Sequence, residues 1–163
     1  MEKIKILFVC LGNICRSPAA EEIMRQLVKR EGLSSRIEVD SAGTYGGHAG
    51  DLPDPRMRRA ARARGYELAS RSRRITEDDF REFDLIVVMD DSNYERAYRL
   101  APSPEEADKI RRMTAFCRCH QATYVPDPYY EGARGFELVL DLLEDACSGL
   151  LEDLKNGMLR LKR

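Results

Sequence analysis

A cysteine and an arginine six positions apart, Cys10 and Arg16, stand between a short apolar run and a Ser-Pro pair, and this order constrains what the amino end of the chain can form. Ile4-Lys5-Ile6-Leu7-Phe8-Val9 has the length and apolarity of a strand, while Ser17-Pro18 reads as a helix start, with serine as N-cap and proline in the first turn. The residues between, Leu11, Gly12, Asn13, Ile14 and Cys15, then form a tight loop. Its N–H groups and the positive end of the helix converge on one point, which is how a fold holds an anion. Gly12 is the place where the loop is expected to need a permissive backbone. Arg16 adds a planar fork able to hold two anion oxygens at once. A sulfur facing that field ionises easily: a free thiol has a pKa of about 8.5, brought to roughly 3.5–7.5 by helix N-termini and neighbouring cations. Cys10 is therefore expected to be a nucleophile at neutral pH.

The remaining composition is that of an ordinary globular chain. Its 163 residues suit one domain, here taken as 1–163, with a formal net charge of −1 and 43% hydrophobic residues. Disorder, a membrane protein and a generally basic nucleic-acid binder are disfavoured. The few apolar residues after Met1-Glu2-Lys3 are too short for a signal-peptide core, so a cytoplasmic location is expected. Five cysteines, an odd number, do not read as a secreted disulfide framework.

Along the chain, Ala20, Ile23, Met24, Leu27 and Val28 recur at helical spacing until Gly32. Ile37-Glu38-Val39 reads as a second strand running into a turn-rich loop, Asp40 to Thr44, so that a right-handed βαβ unit with parallel strands follows. Tyr45 to Pro55 is glycine-rich and expected to be mobile, and Arg56 to Arg64 reads as a helix. Eight arginines between Arg56 and Arg74 form a solvated basic face or attract acidic partners. Thr76 and Asp79 have capping-box spacing. Asp84 to Met89 is a strand covered on both faces, followed by a helix through Leu100 that Pro102 and Pro104 break. Ile110 to Phe116 is a fourth strand, and Gly135 to Gly157 a long amphipathic helix with Cys147 on its apolar stripe. This alternation specifies one open α/β domain.

Cys10-Leu-Gly-Asn-Ile-Cys-Arg-Ser17 resembles, residue for residue, the phosphate loop of the low-molecular-weight protein-tyrosine phosphatases, and Asp127-Pro128-Tyr129-Tyr130 matches a second motif of that family. The resemblance spans essentially the whole chain. It implies a three-layer α/β/α, flavodoxin-like fold with a four-stranded parallel sheet in the order 2-1-3-4, and hydrolysis of phosphotyrosine and small aryl phosphates through a phosphocysteine. The ligand site of such a sheet lies where the strand order reverses, between the strands that end at Cys10 and before Asp90.

A thiolate attacking a phosphate ester still needs an acid for the leaving oxygen. The resemblance assigns this to Asp127, which Pro128 helps to aim; Asp90 and Asp91, also near the crevice, are the competitors for that role and are read as supporting or helix-capping residues. It also implies that Asn13 and Ser41 brace the loop, that Ser17 donates to the thiolate as well as capping the helix, and that Tyr129 and Tyr130 line the rim, although both could instead pack the turn against the last helix. Cys15 either closes a protective disulfide with Cys10 under peroxide or fills space below the loop. No metal and no cofactor is expected: Cys117, Cys119 and His120 lack the separated ligand pairs of a zinc site, and His48 and His120 are expected at the surface. The implied partners are phosphotyrosine proteins and, in the site, phosphate or other oxyanions, with the chain a monomer or weak dimer.

Two positions depart from the family pattern. Gly47 stands where an aromatic wall is common, leaving Tyr45 or His48 as substitutes, and Ser70 stands where many members carry histidine. An arsenate reductase of the same fold is disfavoured because Glu82 to Met89 contains no cysteine. A protein-arginine phosphatase is disfavoured by Ile14 in place of threonine and by the two tyrosines, and a non-catalytic phosphopeptide module by the presence of both Cys10 and Asp127.

Overall fold

The computed structural model describes residues 3–157, so the expected domain limits at 1 and 163 lie outside the described residues. The apolar run forms β1 (Ile4–Cys10), whose last five residues are buried because strands flank it on both sides and helices cover both its faces. With β2 (Ile37–Gly43), β3 (Leu85–Val88) and β4 (Ile110–Arg112) it makes a parallel sheet in the order β2-β1-β3-β4. The strand order is the expected one.

Alternation along the strands sorts the core into two layers. Ile6, Phe8, Leu85 and Val87 face α1 (Arg16–Arg30), α2 (Pro55–Arg62) and α6 (Ala133–Lys155). Leu7, Val9, Ile86 and Val88 face α3 (Glu77–Glu82) and α4 (Asp91–Leu100). A six-residue helix such as α3 is not stable by itself; Phe80, fully buried, anchors it with about 1.5–3 kcal/mol.

Three boundaries differ from expectation for physical reasons. β2 does not end at Val39, because Asp40 to Gly43 continue the ladder opposite Leu7 to Cys10. The small residues there serve close approach rather than a turn: a Cβ on Gly43 would stand 2.6 Å from the Leu11 carbonyl oxygen. β4 stops at Arg112, and Met113–Phe116 turns into a 3₁₀-helix that buries Met113 and Phe116. Pro104 does not only break the preceding helix, since it opens α5 (Pro104–Ala107), where Ser103 Oγ accepts from the Glu106 N–H at 3.2 Å. The capping box at Thr76 and Asp79 forms as expected.

Candidate active site

Cys10 ends β1 and Asp90 follows β3, which brings the two to the crevice where the strand order reverses. The helix beyond the loop begins earlier than Ser17 suggests. Arg16 is already its first residue and Cys15 its N-cap, so Ser17 is not the cap and makes no capping bond. Its hydroxyl is claimed instead by tertiary partners: Asn13 Nδ2 donates to it at 2.7 Å, and Cys10 Sγ lies 3.0 Å away.

The polarity of this network follows from its donors. The Arg73 backbone N–H donates to Asn13 Oδ1 at 3.1 Å, which turns the amide nitrogen of Asn13 toward Ser17 and Ser41. Ser41 accepts from Asn13 at 3.0 Å and its own hydroxyl donates to Glu21 Oε1 at 2.5 Å. Ser17 therefore accepts from Asn13 and keeps one proton, with Cys10 Sγ nearer than the Ala42 carbonyl at 3.4 Å. The Ser17 backbone N–H also points to the sulfur, at 3.4 Å. These side chains hold Asn13 at φ 56°, so the left-handed residue of the loop is Asn13 and not Gly12. Gly12 instead makes room for the His48 ring, which an added Cβ would meet at 3.0 Å.

Arg16 is 2% exposed, and Nη1 donates to Asp90 Oδ2 at 2.7 Å and to the Val125 carbonyl at 3.0 Å. Burial works against its charge, but the Cys10 sulfur, Asp90 and Asp127 together raise its pKa above the ordinary value. Asp90 also caps α4, its Oδ1 accepting from the Asn93 N–H at 2.8 Å. Asp91 points away to an ion pair with Arg112. Asp127 reaches the site from the loop before α6, with Oδ2 3.7 Å from Arg16 Nη2 and its side chain 39% exposed. Cys15 is buried, and burial first of all, with Asp54 second, pushes its thiol well above the ordinary range.

Cys10, Cys15, Arg16 and Asp127 line one pocket of about 290 Å³, with Leu11, Gly12, Ile14, Tyr129 and Tyr130 among its walls, while Asn13, Ser17, Ser41 and Asp90 are outside its lining. The wall position that Gly47 leaves open is filled by Tyr45 and His48. The Tyr45 ring lies so close over Gly47 that a Cβ there would stand 2.2 Å from it. His48 bridges the rims, its ring centroid 6.1 Å from Tyr45 and 6.5 Å from Tyr129. The loop carrying this wall is stitched down by Tyr45 N–H to Leu11 O (2.8 Å), Gly50 N–H to Ser72 O (2.8 Å) and Ser72 N–H to Asp51 O (2.8 Å).

Several of these participants escape sequence reasoning. Ser72, not Ser70, supports the phosphate loop, its hydroxyl donating to Gly12 O at 2.9 Å. Glu21 has one sequence signal, an Arg25 four residues on, whose Nη2 binds its Oε2 at 2.5 Å. Nothing in the sequence marks the Val125 carbonyl.

Cys117, Cys119 and His120 gather elsewhere, around Asp145, which accepts the N–H groups of Arg118, Cys119 and His120. Burial raises the Cys117 thiol to about 11, with Asp145 adding to it. Among the described residues no group of three His, Cys, Asp or Glu side chains is arranged to hold a metal ion, and no helix is long and apolar enough to cross a membrane.

A parallel α/β sheet with a thiol and a buried arginine in a Cys-x5-Arg loop at its switch point has the layout of a cysteine-type phosphatase. Comparison with known proteins agrees. The sequence model for low molecular weight phosphotyrosine protein phosphatase matches residues 5–159. A Synechocystis sp. protein provisionally named a low molecular weight protein-tyrosine-phosphatase is 48% identical over 151 residues, covering 93% of this chain and 96% of its own. A crystal structure of a protein tyrosine phosphatase from Entamoeba histolytica with Hepes in the active site superposes with a TM-score of 0.94 at 45% identity, covering 96% of this chain and all (100%) of that one. The crystal structure of YfkJ from Bacillus subtilis gives a TM-score of 0.89 at 36% identity, covering 96% and 98%. This chain belongs to the low molecular weight protein-tyrosine phosphatase family, whose members are hydrolases.

Proposed function

We propose that this chain hydrolyses phosphotyrosine in proteins, and small aryl phosphates, in two metal-independent steps through a phosphocysteine on Cys10. The observation that carries this reading is the convergence of Cys10, Arg16 and Asp127 on one pocket walled by aromatic rings. In the first step the Cys10 thiolate attacks phosphorus. The tyrosyl oxygen leaves with a proton from the Asp127 carboxyl. In the second step the Asp127 carboxylate takes a proton from water, the water oxygen attacks phosphorus, and the thiolate departs from inorganic phosphate.

Arg16 and the N–H groups of Leu11, Gly12, Asn13, Ile14 and Cys15 stabilise the equatorial oxygens, as electrostatic positioning dominates phosphoryl transfer, while the Ser17 N–H is directed at the sulfur. Ser17, held by Asn13, whose amide Ser41 also engages, donates to the thiolate that forms and departs. Asp90 keeps Arg16 turned to the pocket. Tyr129, Tyr130, Tyr45 and His48 receive the aryl ring. The reaction belongs in the cytoplasm, in keeping with five unpaired cysteines, and in a single domain spanning residues 1–163 that acts as a monomer or weak dimer.

Hydrolysis of p-nitrophenyl phosphate and of phosphotyrosine and phosphoarginine peptides in EDTA tests the reading. Wild type should remain active and prefer phosphotyrosine, Cys10→Ser should be inactive, and Asp127→Ala should lose about 10²–10⁴-fold in turnover. Activity in Cys10→Ser, loss of wild-type activity on chelation, or preference for phosphoarginine would overturn it.

A further inference from the structure

Arg56, the second residue of α2, is engaged on both sides yet has no part in the chemistry above. On one side its guanidinium grips Asp54 with two bonds, Nε to Oδ1 at 3.1 Å and Nη2 to Oδ2 at 2.9 Å. Asp54 is buried, caps α2 by accepting the Arg56 N–H at 2.8 Å, and donates its own N–H to the Ile14 carbonyl at 2.8 Å. The Asp54–Arg56 pair is thus fastened to the phosphate loop. On the other side the guanidinium lies over two rings, 5.0 Å from the centroid of Phe136 and 5.2 Å from that of Tyr129. Phe136 is buried in the first turn of α6. Tyr129 belongs to the turn that carries the acid, and its N–H donates to Asp127 Oδ1 at 3.1 Å.

This makes a continuous path from Ile14 through Asp54, Arg56 and Tyr129 to Asp127. The Asp127 turn lies outside any helix or strand and needs such an anchor. From below it meets α6, where a Cβ on Gly135 would come within 2.5 Å of Glu131 and 3.7 Å of Pro128. Arginine suits the anchor because one planar group can pair bidentately with a carboxylate and stack on rings at the same time, which lysine cannot do.

We propose that Arg56 is a positioning residue for the general acid: it holds the Asp127 turn at a fixed distance from the phosphate loop, so that the carboxyl stands in line with the leaving oxygen opposite Cys10. The proposal rests on the reading of Asp127 as the acid. Its consequence is specific, because a displaced acid matters only when the leaving group needs a proton. Phenols of high pKa do; strongly acidic phenols leave as anions unaided.

The test is kcat/KM over a series of aryl phosphates of graded leaving-group pKa, for wild type, Arg56→Met, Arg56→Lys, Asp127→Ala and the double variant Arg56→Met/Asp127→Ala. The slope within one variant does not depend on how much of it is folded. Arg56→Met should lose roughly 10–100-fold on tyrosyl phosphate, part of the full acid contribution, and much less on 2,4-dinitrophenyl phosphate. Arg56→Lys should fall between, and Arg56→Met should steepen nothing further in the Asp127→Ala background. Equal losses for every leaving group, or an undiminished effect in that background, would overturn the proposal alone. A flat series for Asp127→Ala itself would remove the acid assignment and the proposal with it.

Discussion

The Ser17 hydroxyl has one proton, and its neighbours decide where that proton goes. Asn13 supplies one hydrogen bond to the oxygen, so the remaining proton is directed to Cys10 Sγ at 3.0 Å in preference to Ala42 O at 3.4 Å. A hydrogen bond to a charged group contributes about 1.5–3 kcal/mol, or roughly 10–100-fold. Ser17→Ala should therefore lower kcat by about that factor, and because it also takes a partner from the buried Asn13 amide it should cost about 1–3 kcal/mol of stability, which steady-state kinetics and urea unfolding would check together. At this scale the sequence displays the reacting groups, because Cys10, Arg16 and the N–H groups between them are local. It does not display the conformations. Gly12 looks like the permissive position and Ser17 like a cap, yet Asn13 takes the left-handed angle and Ser17 turns to the sulfur, since residues as distant as Ser41 and Arg73 set both.

Among the elements, α6 shows how one side chain can organise a stretch of irregular backbone. Asp145 gathers three successive N–H groups, of Arg118, Cys119 and His120, and the His120 ring at 2.8 Å. Burial alone would raise its pKa, but the Arg118 N–H, the imidazole and the other two N–H groups bring it from 3.8 down to about 2. The folded state thus binds the Asp145 proton more weakly than the unfolded chain. This contribution to stability is fully present above about pH 4 and is lost as pH falls toward 2. Urea unfolding at pH 5 and pH 3 should show wild type losing more stability on acidification than Asp145→Asn, and parallel losses would contradict the assignment. The order of elements is legible from alternating periodicities, whereas their ends are not. Asp40 to Gly43 has turn-like composition but remains in β2, because the ladder with β1 and the close approach of Leu11 override local preference.

For the molecule as a whole, the sheet order places two loops from different strands at one crevice, and the irregular segment between Phe116 and α6 brings Asp127 over them. Cys10 and Asp127, the proposed nucleophile and acid, are 117 positions apart in sequence, and only the fold makes them a pair. Spacing alone therefore reveals the anion loop but not its partner, which the resemblance at Asp127-Pro128-Tyr129-Tyr130 supplies. The wall is legible only as a choice between Tyr45 and His48, because that both form it depends on the Tyr45 ring folding back over Gly47.

The central claim is that phosphorus passes through the Cys10 sulfur. Rapid acid quench of the enzyme during turnover of an activated aryl phosphate, followed by peptide mapping, tests it most directly. Phosphate should be found on Cys10, rising to a larger steady level in Asp127→Ala, where the base for the second step is missing, and absent from Cys10→Ser. Turnover with no phosphorylated Cys10, or with phosphate carried on another residue, would contradict it.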